Sequence, residues 1–277
     1  MSVGPDPTIG PAAAAVLGVV EGLTEYLPVS STAHIDLVGH WLGVAGVPGF
    51  ASFDIVIQLG AILAVLVHYR TLIGERLRGL ARREPVAIRL FAALGAGFLP
   101  AAILGLILRQ FIKRYLFGLT TVALAFVFGG LVMLAVEGWR KRANRPWLEG
   151  LEHVTPRDGL LIGLGQCFAL IPGMSRSMST IVPGQLLGLS TKTAAEFSFL
   201  LGLPTLGAAT IYEGLKERHD LVLYAGYDAI LIGLVVSFLV AWAVIAGFLR
   251  YLQRRGLEPF GYYRIAMGAL ILWMVFR

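Results

Sequence analysis

Six stretches of this 277-residue chain are long and apolar enough to cross a lipid bilayer, which leaves few folds open. They lie near residues 50–69, 90–108, 116–138, 195–212, 228–249 and 260–276, each close to the ~20 residues that traverse the hydrocarbon as a helix. The bilayer core offers no water to hydrogen-bond an open backbone, so runs of this length are read as α-helices. The rest of the chain agrees, with 57% hydrophobic and only 14% charged residues and a mean hydropathy of +0.76. The reading is an all-α integral membrane protein, one membrane domain over residues 1–277. Cys167 is the single cysteine, which excludes an intrachain disulfide framework and a cysteine-rich metal site. The net charge of +6 sits in a few arginine-rich loops. It reads as membrane topology, and nucleic acid is not expected as a partner. "MSVGPDPTIG" carries no Lys or Arg ahead of the first apolar run, so a cleaved signal peptide is not expected.

Two further stretches, about 11–45 and 158–190, are apolar but broken by Pro28 and Pro172, and they carry the densest polar groups. Each reads as a re-entrant helix-loop-helix, two half-length helices entering and leaving on one side. Irregular backbone survives at membrane depth only when it is buried in protein or lines a wet cavity, so both stretches are candidate sites. Orientation follows from basic residues. Arg70, Arg76, Arg78, Arg82, Arg83 and Arg89 occupy one loop, and Arg140, Lys141, Arg142, Arg145 and Arg157 another; both are expected to be cytoplasmic. Two spans separate them, so the first broken stretch enters from outside and the second from inside. "FDIVIQLG" (53–60) echoes "AEFSFLLG" (195–202), placing Asp54 over Glu196 and Gly60 over Gly202. Together these predict inverted repeats over 10–140 and 158–277, joined by a cytoplasmic linker at 141–157.

The first stretch reads "EGLTEYLPVSSTAH" (21–34). Glu21 and Glu25, four apart, project from one helix face. Buried carboxylates this close repel unless a cation, an arginine or a shared proton lies between them, and such a pair suits Mg²⁺ or Ca²⁺. Ser30, Ser31 and Thr32 follow Pro28 and suit the N-terminus of a new half-helix, whose free N–H groups attract anions. His34 lies one turn on, placed as a general base or nucleophile. The second stretch, "PGMSRSMST" (172–180), supplies the complement. Its Pro-Gly start, Ser175 and Ser177 again suggest a half-helix N-terminus, and Arg176 supplies a guanidinium fork that matches phosphate oxygens. Such a set of groups would hold a diphosphate.

The motifs "GVVEGLTEYLPVSSTAH", "FDIVIQLGAILAV", "PGMSRSMST" and "AAEFSFLLGLPTL" make the chain similar to the undecaprenyl-diphosphate phosphatase family of bacterial membranes, the bacitracin-resistance type. The resemblance runs from about residue 10 to the C-terminus. It implies hydrolysis of undecaprenyl diphosphate to undecaprenyl phosphate and inorganic phosphate, which recycles the lipid carrier of peptidoglycan synthesis. It also implies residence in the bacterial inner membrane, with a site reached from the periplasmic side. Position by position it implicates Glu21, Glu25, Ser30, Ser31, His34, Ser175, Arg176, Ser177 and Thr180. Ala33 stands where the family usually has glycine, Met178 replaces a frequent glycine, and Pro183-Gly184 replaces a Gly-Gly or Ser-Gly-Gly run. The competing reading is a transporter or flippase for a polyprenyl phosphate lipid, because inverted repeats with midplane sites are common in transporters. The metal, the nucleophile (water, His34 or Ser31) and the oligomeric state, a homodimer among the options, stay open at this point.

Overall fold

The computed structural model describes residues 8–116, 118–143 and 146–277. Arg145 and the first seven residues, on which the topology count and the signal-peptide expectation partly rest, lie outside them. Among the described residues the regular structure is helical: α1 (Pro11–Thr24), α2 (Ser31–Trp41), α3 (Phe50–His68), α4 (Arg70–Ala81), α5 (Pro85–Tyr115), α6 (Leu119–Arg142), α7 (Pro156–Gln166), α8 (Arg176–Leu186), α9 (Thr191–Lys216), α10 (Arg218–Leu252) and α11 (Glu258–Phe276). A single parallel bridge, Leu148 to Leu189, is the one β-type pairing there.

Six of these helices are long and apolar enough to cross a membrane, within α3, α5, α6, α9, α10 and α11. Each overlaps one of the six expected spans. The 19 residues of α3 give about 28 Å at 1.5 Å per residue, close to the ~30 Å hydrocarbon thickness. Both proline-broken stretches form pairs of short helices, α1 with α2 and α7 with α8. Local chemistry sets their ends. Pro11 and Pro156 open α1 and α7, where the missing N–H costs nothing. Thr155 and Asp158 close a reciprocal capping box on α7. Chain order therefore runs short, short, long, long, long twice, with the arginine-bearing α4 inserted between the first and second long helices of the first set.

The helices form two compact units that interleave the sequence. The first comprises residues up to Tyr26, Ser31–His68 and Leu206–Ile245. Its core joins Leu17 of α1, Ile35 of α2, Phe53 and Ile57 of α3 and Ala229 of α10. Tyr26 donates to the Ala61 carbonyl (2.7 Å), fastening the end of α1 to α3. The second unit comprises Leu27–Ser30, Tyr69–Thr205 and Ala246–Arg277. Small residues let its backbones touch. A Cβ on Gly159 or Gly163 of α7 would fall 2.1 or 2.3 Å from the carbonyl oxygen of Ala93 or Gly97 in α5. Lipid drives no hydrophobic association between helices, so close packing of this glycine-every-fourth kind is a principal source of cohesion.

Candidate functional site

The two broken stretches place their polar side chains at matching points. α2 and α8 are each eleven residues long, and each is preceded by a serine in left-handed backbone, Ser30 (φ 73°) and Ser175 (φ 68°). That conformation costs a non-glycine residue about 1–3 kcal/mol and persists only where the surroundings over-determine it, commonly at functional sites. A fresh helix N-terminus follows each of these serines.

In the first unit, Glu21 sits in the last turn of α1 and Glu25 caps its end, with the Glu25 N–H bonded to the Glu21 carbonyl (3.0 Å). Both are buried, at 0% and 5% exposure. Two neutral donors hold the Glu25 carboxylate, the Ser31 hydroxyl and the Gln58 amide of α3 (3.3 Å). Ser31 therefore directs its hydroxyl at Glu25. His34, half-buried, lies one turn further along α2, and Thr32 is exposed. Among the described residues no group of three or more His, Cys, Asp or Glu side chains forms a metal cage. A cation at Glu21 and Glu25 would thus rest on two carboxylates and take its remaining ligands from water and phosphate, a set that suits Mg²⁺.

In the second unit, Ser175 caps α8 by accepting from the Met178 N–H (3.3 Å), and its hydroxyl lies 3.0 Å from that of Ser177. Ser177 in turn donates to the carbonyl of Leu27 (2.9 Å). Arg176 occupies the first residue of α8 and donates to the carbonyl and hydroxyl of Ser198 in α9 (2.9 and 3.2 Å). The Thr180 hydroxyl is enclosed by the Arg176 and Ser177 carbonyls and by Ser198 Oγ, at 2.6 Å from the last. Met178, at a position the resemblance assigns to glycine, is buried in α8.

The structure therefore joins Glu25 to Ser31, Ser175 to Ser177, and Ser177 to the tip of the first stretch. Thr180 and Arg176 share Ser198. Gln58, Ser198 and Arg264 hold these groups and went unassigned in the sequence reading. The first two lie inside the "FDIVIQLG" and "AEFSFLLG" segments whose echo was noted. Arg264 carried the plainest signal, an arginine within an apolar span, which is by default a functional residue.

The chain is similar to known proteins over most of its length. A family profile described as bacitracin resistance protein BacA matches residues 14–270. An undecaprenyl-diphosphatase of Sorangium cellulosum (strain So ce56) is 53% identical over 262 residues, covering 94% of this chain and 85% of the relative. One from Maridesulfovibrio salexigens is 46% identical over 264 residues, covering 94% and 97%. One from Thermoanaerobacter pseudethanolicus is 43% identical over 261 residues, covering 94% and 95%.

Proposed function

The chain belongs to the family described as bacitracin resistance protein BacA, and from that membership we propose that it hydrolyses undecaprenyl diphosphate to undecaprenyl phosphate and inorganic phosphate. Relatives of that name match it over nearly its whole length. It is a multi-pass membrane enzyme with six helices suited to span the bilayer, so its substrate is a lipid met within its own solvent.

The observation that carries the site is the start of α8, where a left-handed, capping serine presents Arg176 and Ser177 at a helix N-terminus. Backbone N–H groups at such an end, the helix dipole and a guanidinium fork together favour phosphate oxygens. In the assigned roles, Arg176 binds the diphosphate together with Ser175, Ser177 and the α8 amides, and Ser30 and Thr32 do so at the start of α2. Thr180 supports Arg176 from within α8. Glu21 and Glu25 would hold a divalent cation, Mg²⁺ or Ca²⁺, which when bound offsets the negative charge of the diphosphate. His34 acts as general base on water, and Ser31 keeps the Glu25 carboxylate in place. Attack of water on the terminal phosphorus forms one P–O bond and breaks the bridging P–O bond. The water proton leaves to His34, and undecaprenyl phosphate departs as the leaving group.

The topology proposed with this reading has α4 and the loop after α6 in the cytoplasm, the two short-helix pairs as re-entrant members of inverted repeats, and the site open to the periplasmic side of a bacterial inner membrane. The repeated helix order and the basic residues of α4 support it. Purified protein in detergent, with no second compartment, is expected to release inorganic phosphate from undecaprenyl diphosphate. Binding without release would overturn the enzyme assignment in favour of carriage. A cysteine replacing Arg78 is expected to resist an impermeant thiol reagent in intact cells, and its labelling would invert the topology.

A further inference from the structure

Arg264 lies in the second turn of α11, inside an apolar helix, and is completely buried at 0% exposure. A charge taken out of water costs several kcal/mol unless its protons are matched. Here the partners are main-chain carbonyls. Nη1 donates to Pro28 (3.3 Å), and Nη2 donates to Ala125 and to Gly173 (both 2.9 Å). The Phe126 ring lies 4.9 Å from the guanidinium carbon. α6 leaves room for the group by placing glycine at 129, where a Cβ would sit 2.4 Å from Nη2. Among the described residues no carboxylate is bonded to Arg264.

The two loop carbonyls it holds are equivalent points. Pro28 precedes the left-handed Ser30 by two residues, and Gly173 precedes the left-handed Ser175 by two residues. One guanidinium thus grips the corresponding carbonyl of both broken stretches, within a single compact unit. Each gripped turn ends where a short helix begins. We infer that Arg264 is a positioning residue for the phosphatase reaction: by fixing both turns it sets Ser30 and the α8 N-terminus for the diphosphate without touching the substrate. This rests on the phosphatase reading. Misplacing such groups by a fraction of an ångström costs rate more than ground-state affinity, because alignment matters most in the transition state.

The test measures kcat and KM for phosphate release per folded molecule, with circular dichroism melts and gel-filtration profiles in detergent. Arg264→Lys keeps the charge but cannot span three carbonyls. It is expected to lower kcat by about tenfold or more and to move KM by less than about threefold. Gly129→Ala leaves the arginine in the chain and pushes its head aside. A fall in kcat of at least about threefold is expected, with KM again little changed. Phe126→Leu removes the ring and keeps all three carbonyl bonds, and it is expected to lower the melting temperature while kcat stays within about twofold. A folded Arg264→Lys or Gly129→Ala enzyme with wild-type kcat overturns the inference, as does a kcat loss in Phe126→Leu equal to that in Arg264→Lys. So does a change confined to KM. If Arg264→Lys is not recovered folded, Gly129→Ala decides alone. Wild-type protein that releases no phosphate defeats the phosphatase reading itself, a separate outcome.

Discussion

The α1–α2 and α7–α8 segments share a backbone plan and carry opposite charges. Each has a proline-broken loop, a left-handed serine and an eleven-residue helix, and each is followed by a long helix whose polar residue steadies the charged group, Gln58 for Glu25 and Ser198 for Arg176. The first segment offers two buried carboxylates and a histidine; the second offers a guanidinium and a hydroxyl pair. The two segments thus carry chemically complementary groups on similar local layouts, termed the acidic and the basic copy. The acidic copy suits a cation and a base, and the basic copy suits phosphate.

The largest effects should come from removing the charge of either copy. Glu25→Gln and Arg176→Ala are each expected to lower kcat for phosphate release by about 10²–10³, the range seen when one group aimed at developing charge is lost. Glu21→Gln should lose most of the activity as well. If either segment can be neutralised with little loss, its proposed role fails. Excess chelator is expected to abolish turnover, and Mg²⁺ or Ca²⁺ to restore it, through the acidic copy alone. Full turnover in chelator would leave Glu21 and Glu25 without their proposed cation.

A middle-sized effect separates charge from shape. Arg176→Lys keeps the positive charge, loses the planar fork and cannot reach both the Ser198 carbonyl and hydroxyl while still presenting two donors to phosphate. A loss of about tenfold in kcat/KM is expected, well short of Arg176→Ala. Equal losses in the two variants would mean that the fork, and not the charge, does the binding.

The spans, both breaks and the charge on each segment were legible from residue types alone, because bilayer length and the cost of buried charge act on sequence directly. The left-handed turns at Ser30 and Ser175 were not, since serine ordinarily avoids that conformation and only tertiary contacts impose it. Nor were the partners that tie the segments down. Ser31 was read as a helix-start hydroxyl, yet it bonds Glu25, a choice that depends on where α1 ends relative to α2. Arg264 was visible as an arginine in an apolar span, but its acceptors are carbonyls of Pro28, Ala125 and Gly173, and a carbonyl leaves no mark in sequence.

The smallest expected effects lie in the steadying residues, where the comparison becomes sharpest. Gln58→Leu removes a donor from Glu25 at 3.3 Å, a long bond, while the Ser31 hydroxyl remains. A net loss of about 0.5–1.5 kcal/mol per hydrogen bond corresponds to roughly two- to tenfold in kcat/KM. Ser198→Ala should cost less. Arg176 Nη1 keeps the Ser198 carbonyl at 2.9 Å, and the Thr180 hydroxyl keeps the Arg176 and Ser177 carbonyls, so each of these two donors retains an acceptor. About two- to threefold is expected, read as kcat/KM for phosphate release beside a melting curve. The carbonyl is fixed by α9 itself, whereas Glu25 depends on side chains, so the basic copy should tolerate loss of its steadying side chain better than the acidic one. A Ser198→Ala enzyme impaired as badly as Arg176→Lys would show instead that the hydroxyl, shared between Arg176 and Thr180, sets the guanidinium, and the two copies would then be equally fragile.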